Sequence, residues 1–187
     1  GEEAIQAQMR KKTRRLIRKA RERGVEVVKA DGQDPSVLYD LLVGASRRKG
    51  FALHGRAYYE QAFRVLQGAG LLTPLMAVHQ GQPVAAKAVC TFGDRSMHLW
   101  GATSQRGRET SASYLLQWEA IRRAIAQNCR YCDLWGIPDR VGEMQRSGQA
   151  IPKERADGMW GVYRFKRGFG GSVEYYVGAE DYPYMQI

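Results

Sequence analysis

The sequence predicts a mixed α+β domain built on an antiparallel sheet, and three observations carry that reading. Three strand-like runs, Leu75–His79, Pro83–Phe92 and Ser96–Ala102, follow one another. Only the short glycine-bearing turns Gln80-Gly81-Gln82 and Gly93-Asp94-Arg95 separate them, and turns this short join antiparallel neighbours. An amphipathic helix over Ser111–Asn128 comes next, with Leu115, Leu116, Trp118, Ile121, Ala124 and Ile125 on one side. Arg122, Arg123 and Gln127 lie on the other, and a further strand, Tyr131–Trp135, follows directly.

The flanking elements are read from their stop signals. Residues 3–23 contain no Pro and no internal Gly, and Gly24 stands at the C-cap position, which predicts one helix. Its acidic first turn and basic last turn suit the helix dipole. Val25–Ala30 alternates as a strand does. Asp34-Pro35 opens a helix through about Arg48 that Gly50 ends, and a second helix, Arg56–Gln67, is closed by Gly68 and Gly70. Gly136–Asp157, with Pro138, Gly148 and Pro152, reads as a long polar loop. A short helix, Trp160–Arg167, and a strand, Val173–Val177, complete the chain. The order is then β-α-α-β-β-β-α-β-α-β behind a basic helix, which resembles the GNAT acyltransferase fold. Two parts are expected: the basic helix, 1–24, and the acyltransferase domain, 25–187.

Composition narrows the function. At 187 residues and 44% hydrophobic, the chain has enough apolar material for one ordinary domain and is not a disordered polymer. Its net charge of +10 calls for a polyanionic partner: nucleic acid, a nucleotide-sugar pyrophosphate or an anionic surface. Residues 1–24 hold nine Lys/Arg against three acids, so they carry more than half of that excess. No apolar run approaches the roughly 18 residues that span a bilayer. The amino terminus lacks an apolar signal core, so a cytoplasmic chain is expected, at most peripheral at the inner membrane face. Cys90, Cys129 and Cys132 form an odd set, whereas disulfide scaffolds use more cysteines in shorter secreted chains. Cys129 and Cys132 have no second cysteine pair to complete a zinc site, and His54, His79 and His98 are scattered. They read as small residues near a strand start, and no metal is expected.

A GNAT domain ordinarily holds the coenzyme A pyrophosphate on backbone N–H groups through Arg/Gln-x-x-Gly-x-Gly/Ala before the long helix. Here that place reads Gln105-Arg106-Gly107-Arg108-Glu109-Thr110-Ser111-Ala112-Ser113. With Arg108 in the first position, Ser111 and Ser113 stand in for the two glycines, and Glu109 would repel a pyrophosphate. Acetyl-coenzyme A is therefore not the expected donor.

Three runs resemble the Fem family of peptidoglycan aminoacyltransferases: Leu115-Leu116-Gln117-Trp118-Glu119-Ala120-Ile121, Tyr131-Cys132-Asp133-Leu134-Trp135-Gly136-Ile137-Pro138-Asp139, and Tyr163-Arg164-Phe165-Lys166-Arg167-Gly168-Phe169-Gly170-Gly171. The basic helix, with Lys12-Thr13-Arg14-Arg15-Leu16-Ile17-Arg18-Lys19-Ala20, resembles it too. The resemblance covers nearly the whole chain and implies transfer of an amino acid from aminoacyl-tRNA to a stem-peptide amine of a peptidoglycan precursor, lipid II or its UDP-linked form. The family fold has two GNAT-like lobes, of which this chain matches the second. A missing amino-terminal lobe, or a second copy, is thus an expected partner.

The chemistry would be aminolysis of an ester, and a fixed positive charge near the developing oxyanion lowers its barrier. By resemblance, Lys166 is the candidate for that charge, with Phe165 stacking at the tRNA acceptor end. The glycines Gly168, Gly170 and Gly171 suit a tight turn with close backbone approach. Arg47, Arg56, Tyr58 and Tyr59, in a basic-aromatic segment, are candidates for holding the precursor, together with Trp100 and Tyr163. Lys12, Arg14, Arg15 and Arg18 are candidates for phosphate or tRNA. Asp133 and Trp135 read as fold elements. Two alternatives stay open: an acyl-coenzyme A N-acyltransferase, and a non-catalytic nucleic-acid-binding module.

Overall fold

The computed structural model describes residues 1–30, 34–152, 159–174 and 176. The basic segment opens it as two helices, α1 (Glu2–Gln8) and α2 (Lys11–Glu22), rather than the one expected. They are followed by β1 (Val25–Lys29), α3 (Ser36–Lys49), α4 (Arg56–Gly68), β2 (Leu72–His79), β3 (Gln82–Phe92) and β4 (Arg95–Thr103). The chain continues through α5 (Gln105–Glu109), α6 (Ala112–Ala126), β5 (Tyr131–Asp133), α7 (Asp139–Arg146) and α8 (Trp160–Arg167).

The five strands form one sheet in the order β1-β2-β3-β4-β5. The first four are antiparallel, as the short turns require, and β5 joins β4 in parallel through only three residue pairs, ending at Met97 opposite Asp133. This mixed sheet with its flanking helices is the α+β acyltransferase architecture that the sequence predicts. Beyond Met97, β4 has no partner on that side among the described residues, and there the sheet splays open.

The sheet packs on both faces. On one, α6 and the amino-terminal helices bury Met9, Ile17, Leu75, Val84, Val89, Leu116 and Trp118. On the other, α3 and α4 bury Leu38, Leu42, Tyr59, Phe63, Ala86 and Ala88. One irregularity shapes both. Val89 pairs with His98 but Ala88 pairs with Trp100, so Leu99 is an extra residue in β4. The bulge sends Met97, Leu99, Trp100 and Ala102 all toward α3 and α4. His98 and Gly101 are left on the α6 face.

Four local expectations are corrected. The break at Met9 and Arg10 comes from extended backbone at both residues. It lets Met9 enter the core, while the Arg10 N–H donates to the Gly168 carbonyl at 3.0 Å. The helix α7 lies within the stretch 136–157 read as loop, because Val141 packs against Trp160 and Tyr163. The short helix α5 stands before α6 where none was expected. No strand forms at Val173, Glu174 or Tyr176, and Tyr175 and Val177 lie outside the described residues. Among the described residues no helix is long and apolar enough to cross a membrane.

Candidate functional site

The splay between β4 and β5 is where the chemistry-bearing side chains collect. The strand β5 ends because Asp133 turns its carboxylate back to accept from the Trp135 N–H at 2.7 Å, with Trp135 in left-handed backbone. Asp133 also accepts from the Tyr176 hydroxyl at 3.0 Å. The chain thus peels away from β4, and α8 reaches into the opening. Lys166, on its last turn, donates from Nζ to the Gly136 carbonyl at 2.6 Å. Burial lowers its pKa to about 8, with the Asp133 carboxylate pulling the other way. The amine therefore carries its charge at neutral pH and has two further hydrogens to offer.

The turn after Lys166 is built by close approach. A Cβ on Gly168 would collide with the Thr13 hydroxyl of α2, and one on Gly170 would fall 2.9 Å from the Gln8 side chain. Gly170 also has φ +84°, which only glycine adopts without strain. The basic helices are thereby clamped against the turn that carries Lys166. Beside it, Phe165 lies edge-on to Tyr114 of α6 at 5.0 Å between ring centroids and to Phe169 at 5.2 Å. Tyr163 is buried away from this cluster, against Trp160, with Arg167 over its ring at 5.9 Å.

On the inner side of the domain from Lys166 are four polar groups: Lys87 on β3 and His98 on β4, which lie outside the family-like runs, and Gln117 on α6 and Cys132 on β5, which lie within them. Lys87 Nζ donates to Gln117 Oε1 at 2.5 Å, and Gln117 Nε2 lies 2.8 Å from His98 Nδ1. Burial, reinforced by the charge of Lys166, lowers the Lys87 pKa to about 7. Burial and the Lys87 charge push His98 well below its ordinary value, and burial raises the Cys132 thiol to about 11. A signal for this cluster exists in the sequence: Lys87 interrupts the apolar run Val84–Cys90, and Gln117 sits within the apolar stripe of its helix. Cys129 and Cys132 are both free thiols.

The precursor candidates other than Tyr163 lie on the opposite face of the sheet, with α3 and α4. Trp100 meets Tyr59 at 5.4 Å, Tyr58 at 6.2 Å and Phe63 at 6.2 Å. Regular alternation from His98 would have put Trp100 on the Lys166 side, and the bulge at Leu99 reverses this. Exposed Tyr58 stacks on His54 at 4.1 Å. Arg56 pairs with Asp40 at 2.8 Å and lies 4.6 Å above the Tyr39 ring. Arg47 is exposed at the end of α3. Tyr58, Tyr59 and Trp100 are thus brought together, apart from Lys166.

The helix α2 lies on α6 through Ile17 and Ala20. Lys12, Arg15 and Arg18 are exposed, with Arg18 paired to Glu22 at 3.4 Å. Arg14 is half-buried and donates to the Gln6 and Met9 carbonyls, so it ties α1 to α2. Arg14 and Arg18 line one shallow groove with Gln6, Ile17, Arg21 and Trp118.

The segment before α6 folds as α5 followed by a left-handed Ser111. The Ser104 hydroxyl accepts from the Gly107 N–H at 3.0 Å, and a Cβ on Gly107 would strike the Val84 carbonyl. Arg23 of the amino-terminal segment donates to the Glu109 carbonyl.

A family model described as an acetyltransferase (GNAT) domain matches residues 7–167. Among solved structures, FemX superposes with a TM-score of 0.75 at 14% identity, over 91% of this chain. This chain covers 56% of FemX, so it spans about half the length of that relative. A Clostridium acetobutylicum protein described as an acetyltransferase and solved with acetyl-CoA has a TM-score of 0.51 at 15% identity. There the match covers 71% of this chain and 94% of that one. At these identities both similarities show the fold alone. No curated protein sequence matches this chain.

Proposed function

The chain belongs to the GNAT acetyltransferase-domain family, and from that premise we propose that it is the acyl-transferring lobe of an aminoacyltransferase. It would move an amino acid from aminoacyl-tRNA to the stem-peptide amine of a peptidoglycan precursor. One observation carries the reading: Lys166, charged at neutral pH, stands at the splayed edge of β4 with Phe165 packed beside it. An ester carbonyl entering the splay meets an ammonium already held by Gly136. Its developing oxyanion gains a charge-assisted hydrogen bond with little reorganisation. No protein nucleophile is required, because the ester is activated before it arrives. The exposed cations Lys12, Arg15 and Arg18 supply a phosphate-facing surface on the helix clamped to the same turn.

A second reading, an acyl-coenzyme A N-acyltransferase, is favoured by the family description and by the acetyl-CoA complex of the C. acetobutylicum protein. Against it stand the helix α5 and Glu109 where a pyrophosphate loop would lie.

A transfer assay separates the two. The chain, alone and joined to an amino-terminal Fem lobe, is given charged tRNA or acetyl-CoA with UDP-linked pentapeptide. Transfer from charged tRNA is expected, with Lys166→Ala lowering kcat by about 10²–10³-fold. Transfer from acetyl-CoA alone would hand the chain to the second reading. Failure of both forms with both donors would sink the assignment.

A further inference from the structure

Lys87 stands in the middle of β3, with its neighbours Ala86 and Ala88 buried on the opposite face. Its amine is held in a defined polar chain. Gln117 accepts from Lys87 Nζ on Oε1, which leaves its Nε2 to donate to His98 Nδ1 at 2.8 Å. With Nδ1 accepting, the His98 proton is assigned to Nε2, which lies 3.6 Å from Cys132 Sγ. The titratable groups facing Lys87 are His98 from β4, Cys132 from β5 and Lys166 from α8, and none is a carboxylate. An amine drawn out of solvent beside a second cation is set up to rest in its neutral form.

The stem that carries the amine also has an approach. The cross-strand partner of Lys87 is Gly101, which is exposed and lies beyond the last β4–β5 pair. Gly101 presents no side chain where a Cβ would sit 3.6 Å from Lys87 Cε. The stem of Lys87 is therefore open toward the splay, and Lys87 is half-buried.

We infer that Lys87 is the proton acceptor for the attacking amine, reached across Gly101 from the splay between β4 and β5. The inference rests on the acyl-transfer reading, with either donor. The acceptor amine attacks the acyl carbonyl, a C–N bond forms, and the intermediate carries N⁺ and O⁻. The nitrogen gives one proton to Lys87 Nζ. The oxyanion then collapses and breaks the bond to the leaving ribose oxygen (or the thiolate of coenzyme A), which takes up that proton. Amide and free alcohol or thiol result, and Lys87 returns neutral. Lys166 must be charged in this step and Lys87 neutral. Their lowered pKa values, about 8 and about 7, set the two limbs of a bell-shaped profile in that order.

The test uses the form of the chain that transfers, with its better donor, and reads kcat against pH for wild type, Lys87→Met and Gly101→Val. Wild type should show an acidic limb near 7. Lys87→Met should lose about 100-fold in kcat at unchanged KM and lose that limb. Gly101→Val should lower kcat while keeping the melting temperature, because it closes the approach. A Lys87→Met enzyme that keeps the limb overturns the inference but leaves the acyl-transfer reading standing. A ¹³Cε titration of Lys87 with its midpoint near 10 overturns it as well, without any assay. Absence of transfer by wild type from every donor removes the reading and the base role together.

Discussion

The two faces of strands β3 and β4 are built from neighbouring residues yet do opposite work. Toward α6, Lys87 and His98 place polar, titratable groups where Gln117 and Cys132 can partner them. Toward α4, Trp100 meets Tyr58, Tyr59 and Phe63 in a purely aromatic cluster. The first face holds groups whose protonation burial has shifted toward neutrality, and the second holds large apolar surface. A single extra residue, Leu99, sorts them, since it hands Gly101 rather than Trp100 to the Lys87 side. The difference teaches that the polar face costs stability to keep and the aromatic face provides it.

The largest expected effect tests that division directly. Trp100→Ala should destabilise the chain by about 3 kcal/mol, since it empties a site contacted by three rings. Chemical denaturation reads this as a lower midpoint. If Trp100→Ala left stability intact but abolished transfer, the aromatic face would belong to the chemistry and the division would fail.

How far each face is legible in the sequence follows from the same physics. The meander, the long helix and α8 are legible because period 2, period 3.6 and glycine stops are local signals. The helix break at Met9 is not, because residues 3–23 contain no breaker; it depends on Gly168, far along the chain, accepting from Arg10. Trp100 is misplaced by simple alternation because a bulge leaves no local mark. Lys166 is legible only through the run Tyr163–Gly171, while Lys87 and Gln117 carry a weaker signal, a polar residue inside an apolar pattern. The glycines of that run are legible as a tight turn, but their approach to Thr13 and Gln8 needs the fold.

A smaller effect, of opposite sign, is expected on the polar face. The folded-state pKa of Lys87 lies near 7, below the roughly 10.4 of an unfolded lysine. Between these values the unfolded chain binds more protons, so stability rises with pH across that window and is lowest below about 7. His98, pushed well below its ordinary value, adds to the loss on the acid side. Lys87→Met removes the buried charge and should raise stability at pH 6 by about 1–2 kcal/mol. The gain should shrink toward pH 9.5, where the variant still leaves Gln117 without its donor. Urea midpoints from pH 6 to 9.5 check the slope. A flat wild-type curve would mean that Lys87 is not held neutral, and the contrast between the faces would lose its electrostatic half.

The smallest effect concerns the rim of the aromatic face. Tyr58 is 45% exposed, stacked on His54 and edge-on to both Tyr59 and Trp100. Its exposure limits what it adds to folding, so Tyr58→Ala should cost no more than about 1 kcal/mol. If this rim binds the precursor, as the Arg56 charge over Tyr39 beside it suggests, the variant should raise KM for the UDP-linked pentapeptide several-fold. The value of kcat should stay unchanged, since the proposed oxyanion-binding Lys166 stands on the other side of the sheet. An unchanged KM would confine Tyr58 to packing. A fall in kcat with unchanged KM would instead mean that the acceptor amine is positioned through the sheet from the aromatic face, and the separation of binding from chemistry across β3 and β4 would have to be given up.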